Sequence, residues 1–331
     1  MVVPSSAGES IPVPELHLPQ IIEWRVSVSK SVRESGLFSL AYSGSSGRYL
    51  LRQEASVAPQ SEILQSTVYT SSARSDYQAF QAQYAGHLTS RLYALLSYTW
   101  AHSIDTGSQS SSVFLVYPGY SPGYSDQNDR GSSSFDVRHQ LSASLSFQLP
   151  SVMNAGRLNW WFKGWNLSST TQARTGFPFD ITTVDRSLGL GFANSNRPNL
   201  VYGQPLWIEN TAIPGGRELN PAAFQATSSA VSGTLGRNVL TGNGSFQIDT
   251  SLRRQFRLYR ASSVEVGITA FNLLNNVSFS NPVSHLGSAL FGRPTSVQSL
   301  MLGSGSPTTG LTPLFQSGGP RTVELSVKFS F

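Results

Sequence analysis

Apolar and polar residues alternate along most of this chain with a period of two, which places successive side chains on opposite faces of a β-strand. The clearest run has apolar side chains at Leu141, Ala143, Leu145, Phe147 and Leu149 and polar ones at Ser142, Ser144, Ser146 and Gln148. Similar alternation covers residues 22–29, 38–42, 92–100, 264–270 and 323–331. One such window arises easily by chance, but its repeated occurrence between turn-forming residues predicts an all-β fold.

The lengths of the alternating segments and of their connections indicate the kind of β fold. We predict strands at roughly residues 20–32, 36–46, 63–71, 76–88, 91–102, 135–149, 160–175, 244–257, 262–274 and 320–331, with weaker candidates at 177–183 and 289–298. About ten residues suffice for a tilted strand to cross a bilayer. Tight turns alternate with long loops at 103–134, 184–243 and 275–319, an asymmetry typical of membrane barrels. The sequence therefore predicts an antiparallel transmembrane β-barrel.

Composition supports this class of fold. Only 12% of the residues are charged, about half the share usual in globular proteins. No stretch approaches the roughly 20 consecutive apolar residues of a membrane helix. The absence of cysteine excludes disulfides and cysteine-based metal sites. The net charge of +5 is scattered rather than clustered, so we expect no nucleic-acid partner.

A barrel in a bilayer needs aromatic girdles at both interfaces and a polar inner face. Candidate girdle residues are Tyr98, Trp100, Trp160, Trp161, Trp165, Phe177, Phe179, Phe329 and Phe331. Charged or amide side chains expected to face the interior are Glu23, Arg25, Arg138, Gln172, Arg174, Asp249, Arg253, Glu265, Glu324 and Lys328. We expect most of these polar residues to be solvated wall rather than specific ligand contacts.

Motifs for catalysis or metal binding are weak. The five histidines lack H-E-x-x-H spacing, and no G-x-S-x-G elbow occurs. The Gly303–Pro307 segment lacks the Lys of a phosphate loop, and an Asx-rich turn is favoured over Ca²⁺ binding for Asp126, Asn128 and Asp129. We therefore expect no metal, no cofactor and no enzymatic activity. An outer-membrane lipase and a soluble glycan-binding β-sandwich remain the alternatives.

The end of the chain resembles the C-terminal signal of outer-membrane proteins, which the barrel-assembly machinery recognises. The residues that carry this resemblance are Val323, Leu325, Val327, Phe329 and the terminal Phe331, all on one face of the last predicted strand. The resemblance implies that these five residues act in outer-membrane assembly.

Other segments resemble the barrel of Oar-like TonB-dependent receptors. The residues that carry the resemblance lie at 98–105, 135–142, 164–167, 175–179, 220–224, 236–238, 271–275, 291–294 and 320–321, in the family's order. The resemblance implies integration in the outer-membrane lipid, a 22-stranded barrel, a plug domain and TonB as partners, and uptake of iron chelates, vitamins, glycans or peptides. The ligand is undetermined, and the Oar-like group is also linked to protein export.

The resemblance also sets an expectation for the extent of the barrel. About ten strands and an N-terminus without a signal-peptide pattern indicate the C-terminal part of a longer receptor. We expect residues 1–19 to be irregular and residues 20–331 to form barrel. We expect an open sheet with two free edges. The alternative is a small closed barrel with a ladder between Glu23–Ser29 and Glu324–Ser330.

Overall fold

Nine long strands form the central sheet of the protein. A computed structural model describes residues 9–12, 16–32, 35–56, 66–108, 129–150, 163–185, 194–227, 233–258, 262–298 and 318–331. The strands are β1 (Gln20–Val32), β2 (Gly36–Ser56), β3 (Ser66–Thr89), β4 (Leu92–Asp105), β5 (His139–Gln148), β6 (Trp165–Arg174), β7 (Ser245–Arg257), β8 (Ser263–Phe271) and β9 (Thr322–Ser330). Each pairs antiparallel with its neighbours in sequence. The sheet is therefore an up-and-down meander, as the alternation predicts.

Two short strands extend the sheet. Glu9–Pro12 pairs in parallel with Ser66–Tyr69 of β3, and Gly131–Ser132 pairs with the end of β4. Most predicted strands are present, but the predicted 63–71 and 76–88 are one continuous strand, β3. The polar run around residues 71–75 looks like a turn in sequence, yet its backbone stays paired with β2 across an irregularity between Gly47 and Leu50. The weak candidate 289–298 contributes only an isolated bridge in the described residues, Phe279 to Val297.

The register gives the sheet one apolar and one polar face. One row of paired residues across seven strands is apolar: Val28, Leu40, Ala82, Tyr98, Leu141, Ala173 and Phe246. The next row faces the other way and is polar: Ser29, Ser39, Gln83, Ser97, Ser142, Gln172 and Gln247. Because lipid contacts the outside of a membrane barrel and water its inside, the apolar face is the lipid-facing one.

The sheet is open in the described part of the chain. The outer edges of β1 and β9 have no partner strand there, and no ladder joins Glu23–Ser29 to Glu324–Ser330. The open sheet that we expected is therefore confirmed, and the closed small barrel is not observed. Among the described residues, no helix is long and apolar enough to span a membrane.

The long loops at one end of the sheet fold into a packed unit, which we call the loop body (residues 175–185, 194–227, 233–244 and 272–298). It contains the short strands Pro178–Phe179, Thr183–Asp185, Asn194–Asn196, Asn199–Leu200, Trp207–Glu209, Arg217–Leu219, Phe224–Gln225 and Leu240–Thr241, and a 3-10 turn, Pro221–Ala223. Its apolar core consists of Phe179, Ile181, Leu219, Ala223, Phe224, Leu235, Leu240 and Phe291. The loop between β6 and β7 is thus far more structured than its sequence indicates.

Two of the predicted girdle residues, Phe177 and Phe179, belong to the loop body and not to an aromatic girdle. Phe179 is buried in its core, in contact with Trp207, and Phe177 lies beneath the guanidinium of Arg174. Neither side chain is on the lipid-facing surface. Tyr98 and Trp100 do lie on the apolar face near the long-loop end, and Trp165 and Phe329 lie on it near the short-turn end. Trp160 and Trp161 lie outside the described residues.

Candidate functional site

Charged side chains join the loop body to the end of the sheet. Three arginines and three aspartates gather there, and we call them the rim cluster: Arg52 of β2, Asp105 of β4, Asp129 before β5, and Asp180, Arg197 and Arg237 of the loop body. If all six are ionised their charges sum to zero. The balance allows charges to be buried at the boundary between strands and loops.

Arg237 is the residue that reaches deepest into the strand end. Its guanidinium forms an ion pair with the carboxylate of Asp105 and donates to the Asp105 backbone carbonyl at 2.9 Å. It also donates to the carbonyl of Asp129 at 2.7 Å. The side chains of Arg237 and Asp105 are 8% and 9% exposed. The loop between β6 and β7 is therefore fixed to β4, two strands away from β6 in the sheet.

Asp129 extends this anchor to β2. Its two carboxylate oxygens accept from Arg52 at 2.9 Å and from Arg197 at 3.0 Å. Arg52 also donates to the carbonyl of Thr106, and Arg197 to that of Leu235. Asp129 was expected to belong to an Asx-rich turn, with Ca²⁺ binding as the alternative. Its side chain bridges two arginines, because a buried carboxylate needs opposite charge. Asp126 and Asn128 lie outside the described residues.

Asp180 is the member of the cluster without a close ion pair in the described contacts. Burial raises its pKa, while the backbone N–H of Asn238 at 2.6 Å and the charges of Arg197 and Arg237 oppose the shift. A carboxyl group with a raised folded-state pKa binds a proton more tightly in the folded than in the unfolded state. Its ionisation therefore lowers the stability of the fold as the pH rises from the ordinary aspartate pKa of 3.8 through the raised folded-state pKa.

Replacing Asp180 with Asn tests this effect of burial. We expect Asp180→Asn to unfold at the same or a higher temperature than the wild type at pH 8, because the amide oxygen can still accept from Asn238 without a buried charge. The advantage should disappear toward pH 4. The matched control is Asp129→Asn, which removes the charge between two arginines and should lower the unfolding temperature at pH 8. A lower unfolding temperature for Asp180→Asn at pH 8 contradicts the assignment.

A second polar group lies beside the rim cluster. Asp136 accepts from the backbone N–H of Ser103 at 2.7 Å, and its other oxygen lies 3.1 Å from the ring of His102. Arg138, predicted to face the interior, lies 2.8 Å from the same ring. The ring of His139 contacts the hydroxyl of Tyr98 at 2.8 Å. These contacts hold the start of β5 against the end of β4.

The other predicted interior residues fall on the polar face but do not gather into one site. Strand register places these residues there: Glu23, Arg25, Gln172, Arg174, Asp249, Arg253, Glu265, Glu324 and Lys328. Arg253 and Glu265 approach to 3.8 Å with both side chains well exposed. Asp249 accepts from the backbone N–H of Asn272 at the base of the loop body. Their role as a solvated wall rather than as ligand contacts stays a prediction.

The predicted assembly residues lie along one edge of the sheet. Register places Val323, Leu325, Val327 and Phe329 on the apolar face of β9, beside Ala270, Ile268, Val266 and Val264 of β8. The four residues of β9 are well exposed, and Phe331 is 98% exposed just beyond the strand. Because these side chains are exposed, their apolar surface can contact lipid or a protein that recognises the strand.

Deleting Phe331 is expected to reduce assembly more than stability. The side chain makes little contact in the folded protein, so its loss should shift the unfolding temperature in detergent by no more than about 2 °C. The amount that reaches the outer membrane should fall several-fold. The two measurements are the abundance of the protein in the membrane fraction and the unfolding temperature of the purified protein. The control is Leu51→Ala, which removes another exposed apolar side chain. Normal abundance with lowered heat resistance would identify Phe331 as a packing residue.

Sequence reasoning did not identify the rim cluster. The segment Gly236-Arg237-Asn238 contributed to the family resemblance, but no chemical role follows from its sequence. Asp105 and Arg237 are 132 positions apart, and only the fold brings them together. A usable signal was the concentration of aspartates near the ends of predicted strands.

Comparisons with known proteins agree with this architecture. The family model described as outer membrane beta barrel domain matches residues 3–300. The outer membrane transporter YddB from Escherichia coli superposes with a TM-score of 0.52 at 10% identity, over 98% of this chain and 34% of that one. The pyoverdine outer membrane receptor FpvA from Pseudomonas aeruginosa PAO1 gives a TM-score of 0.46 at 12% identity, over 96% and 30%. No curated protein matches the sequence.

The YddB superposition shows that the chain has the fold of an outer-membrane transporter barrel. The family model supports the predicted localisation to the outer membrane. The chain spans about a third of the length of these two structures. Since the family model matches most of its residues and its sheet has one lipid-facing and one polar surface, the chain belongs to the outer-membrane β-barrel domain family.

Proposed function

We propose that this chain forms wall and outer loops of a TonB-dependent receptor that takes up a ligand across the outer membrane. The observation that carries the proposal is the anchoring of the loop body by the rim cluster. A specific binding site requires groups that are held in place before the ligand arrives. Here the buried pair of Arg237 and Asp105 and the bridge through Asp129 fix the loops at the end of the polar face.

The loop body also offers surface for a ligand. Its described residues include exposed apolar side chains, among them Tyr202 at 85% and Val239 at 58%, above a well-packed core. In this proposal the plug domain and TonB act on the whole receptor, and the polar face of the sheet borders the passage. The ligand class stays open among iron chelates, vitamins, glycans and peptides.

The proposed role is transport without catalysis by this chain. In support, the described ring contacts of His102 go to Asp136 and Arg138, and that of His139 goes to Tyr98, rather than to a serine hydroxyl. Hydrolysis of short-chain and long-chain nitrophenyl esters by the purified protein should not exceed the rate in buffer. If the protein hydrolyses these esters and a serine-directed inhibitor abolishes the hydrolysis, the lipase alternative is favoured over transport.

Uptake by intact cells tests the proposal. Cells with and without the receptor are given labelled ferric chelates, cobalamin, oligosaccharides and short peptides. We expect the receptor to raise accumulation of one class, and a protonophore to abolish the increase, because TonB uses the proton-motive force. The variant Arg237→Ala should lose uptake even when uptake is normalised to the amount of receptor at the surface, whereas Arg253→Ala should retain it. Accumulation that is insensitive to the protonophore, or none for any class, contradicts the proposal.

A further inference from the structure

The lysines of this protein all lie at the short-turn end of the sheet. The sequence contains three, Lys30, Lys163 and Lys328. Lys30 is the third residue from the end of β1, Lys328 is the third from the end of β9, and Lys163 lies two residues before β6. These three positions are far apart in sequence, yet the meander brings them to one end of the sheet.

The sequence between the strands at this end adds to the positive charge. The connecting segments 33–35, 90–91, 149–164 and 258–262 contain five basic residues (Arg33, Arg91, Arg157, Lys163 and Arg260) and one acidic residue, Glu34. In the described strands, Glu265 is the acid at this end, and it lies opposite Lys328. The ion-paired aspartates lie at the other end, namely Asp76, Asp105, Asp129 and Asp136. Arginines neutralise those aspartates at the long-loop end, whereas in the described residues of the short-turn end the three lysines and Arg91 face one acid, Glu265, and leave a net positive charge.

One of these cations lies on the lipid side of the sheet, and two lie in turns beside it. Lys30 follows Val26 and Val28 on the apolar face and pairs in register with Phe38. Arg91 and Lys163 lie in turns and are exposed. A lysine at such a level extends its ammonium to the headgroups while its methylene stem stays in the hydrocarbon. Aromatic residues mark the same level, since Trp165 and Phe329 lie on this face near the same end.

We propose that the short-turn end binds anionic phospholipid headgroups of the periplasmic leaflet through Lys30, Arg91 and Lys163. Short turns of outer-membrane barrels face the periplasm, so these cations lie at the level of that leaflet's phosphates. Charge complementarity and the adjoining aromatic residues identify the partner as a lipid surface rather than a soluble acidic protein. The proposal depends on the barrel fold and not on the transported ligand.

Lipid binding to the purified protein provides the test. The protein is extracted in dodecylmaltoside and titrated with phosphatidylglycerol or phosphatidylcholine, and bound lipid is counted by native mass spectrometry. We expect phosphatidylglycerol to half-saturate the protein at a concentration at least about ten-fold lower than phosphatidylcholine. High salt should remove most of that preference, because it screens exposed charges.

Matched double variants locate the site. Lys30→Gln with Lys163→Gln should weaken phosphatidylglycerol binding about 25-fold, as expected for two cations near a charged surface. Arg257→Gln with Lys328→Gln removes two cations of the same end from the polar face, so binding should change less than about three-fold. Lys30→Arg with Lys163→Arg should bind as the wild type does.

Three results would overturn the proposal. They are equal binding of the two lipids by the wild type, equal loss in the two glutamine variants, and wild-type binding by Lys30→Gln with Lys163→Gln. Equal loss would assign the effect to the overall field of the short-turn end. If the first glutamine variant does not fold, the lipid preference of the wild type, its salt dependence and the arginine variant decide the matter.

Discussion

Replacing Arg237 with alanine is expected to lower the free energy of unfolding by about 3–5 kcal/mol and to release the loop body from the sheet. The reason is that Asp105, with a side chain 9% exposed, would keep a buried charge with its partner removed. Thermal unfolding in detergent measures the first effect. Hydrogen exchange of residues 233–244 measures the second, and it should rise to the rate of an exposed loop.

The matched control is an exposed arginine. Arg253 lies 3.8 Å from Glu265, with side chains 53% and 39% exposed, and solvent screens such a pair. Arg253→Ala should therefore change the free energy of unfolding by no more than about 1 kcal/mol. The double variant Asp105→Asn with Arg237→Met should recover part of the loss by removing both charges. Equal losses in Arg237→Ala and Arg253→Ala would show that the rim cluster does not hold the loop body.

Placing arginine at Leu145 is expected to destabilise the protein in a bilayer by about 2–4 kcal/mol. Leu145 lies on the apolar face between Ala94 of β4 and Ser169 of β6, well inside both ends of β5. An arginine there must either enter hydrocarbon or bend toward an interface. The measurement is reversible unfolding in phospholipid vesicles.

The neighbouring residue provides the control for this experiment. Ser144 lies on the polar face, paired with Leu95 and Thr170, so an arginine there extends into water. Ser144→Arg should cost less than about 1 kcal/mol. Similar costs at the two positions would contradict the assignment of the apolar face to lipid.

The sheet could be predicted from sequence because its register follows from alternation. Shifting a strand by one residue would move all its apolar side chains to the wrong face, so the pattern at residues 141–147 defines which side meets lipid. Boundaries were less accurate where polar residues continue a strand beyond the bilayer. There water replaces lipid on both faces, so β2 and β3 no longer need alternation, and their extensions resemble loops in sequence.

The loop body and the rim cluster could not be predicted for a different reason. The core residues Leu219, Phe224 and Phe291 come from short segments in two separate loops, with no periodic pattern in either. The pairing of Arg237 with Asp105 depends on the folded path of the loop between β6 and β7. Local sequence carries no information about a contact 132 positions away, whereas alternation is a purely local signal.

The lengths of β2 and β3 give the protein a projecting part. These strands have 21 and 24 residues, and roughly ten suffice to cross the bilayer. Because their tight turns lie at the opposite end, the surplus of about 11 to 14 residues continues past the long-loop side of the membrane for roughly 35–50 Å along the strands. A paired ribbon of that reach places backbone and side chains of this chain well outside the bilayer, where a soluble molecule can contact them without entering the passage.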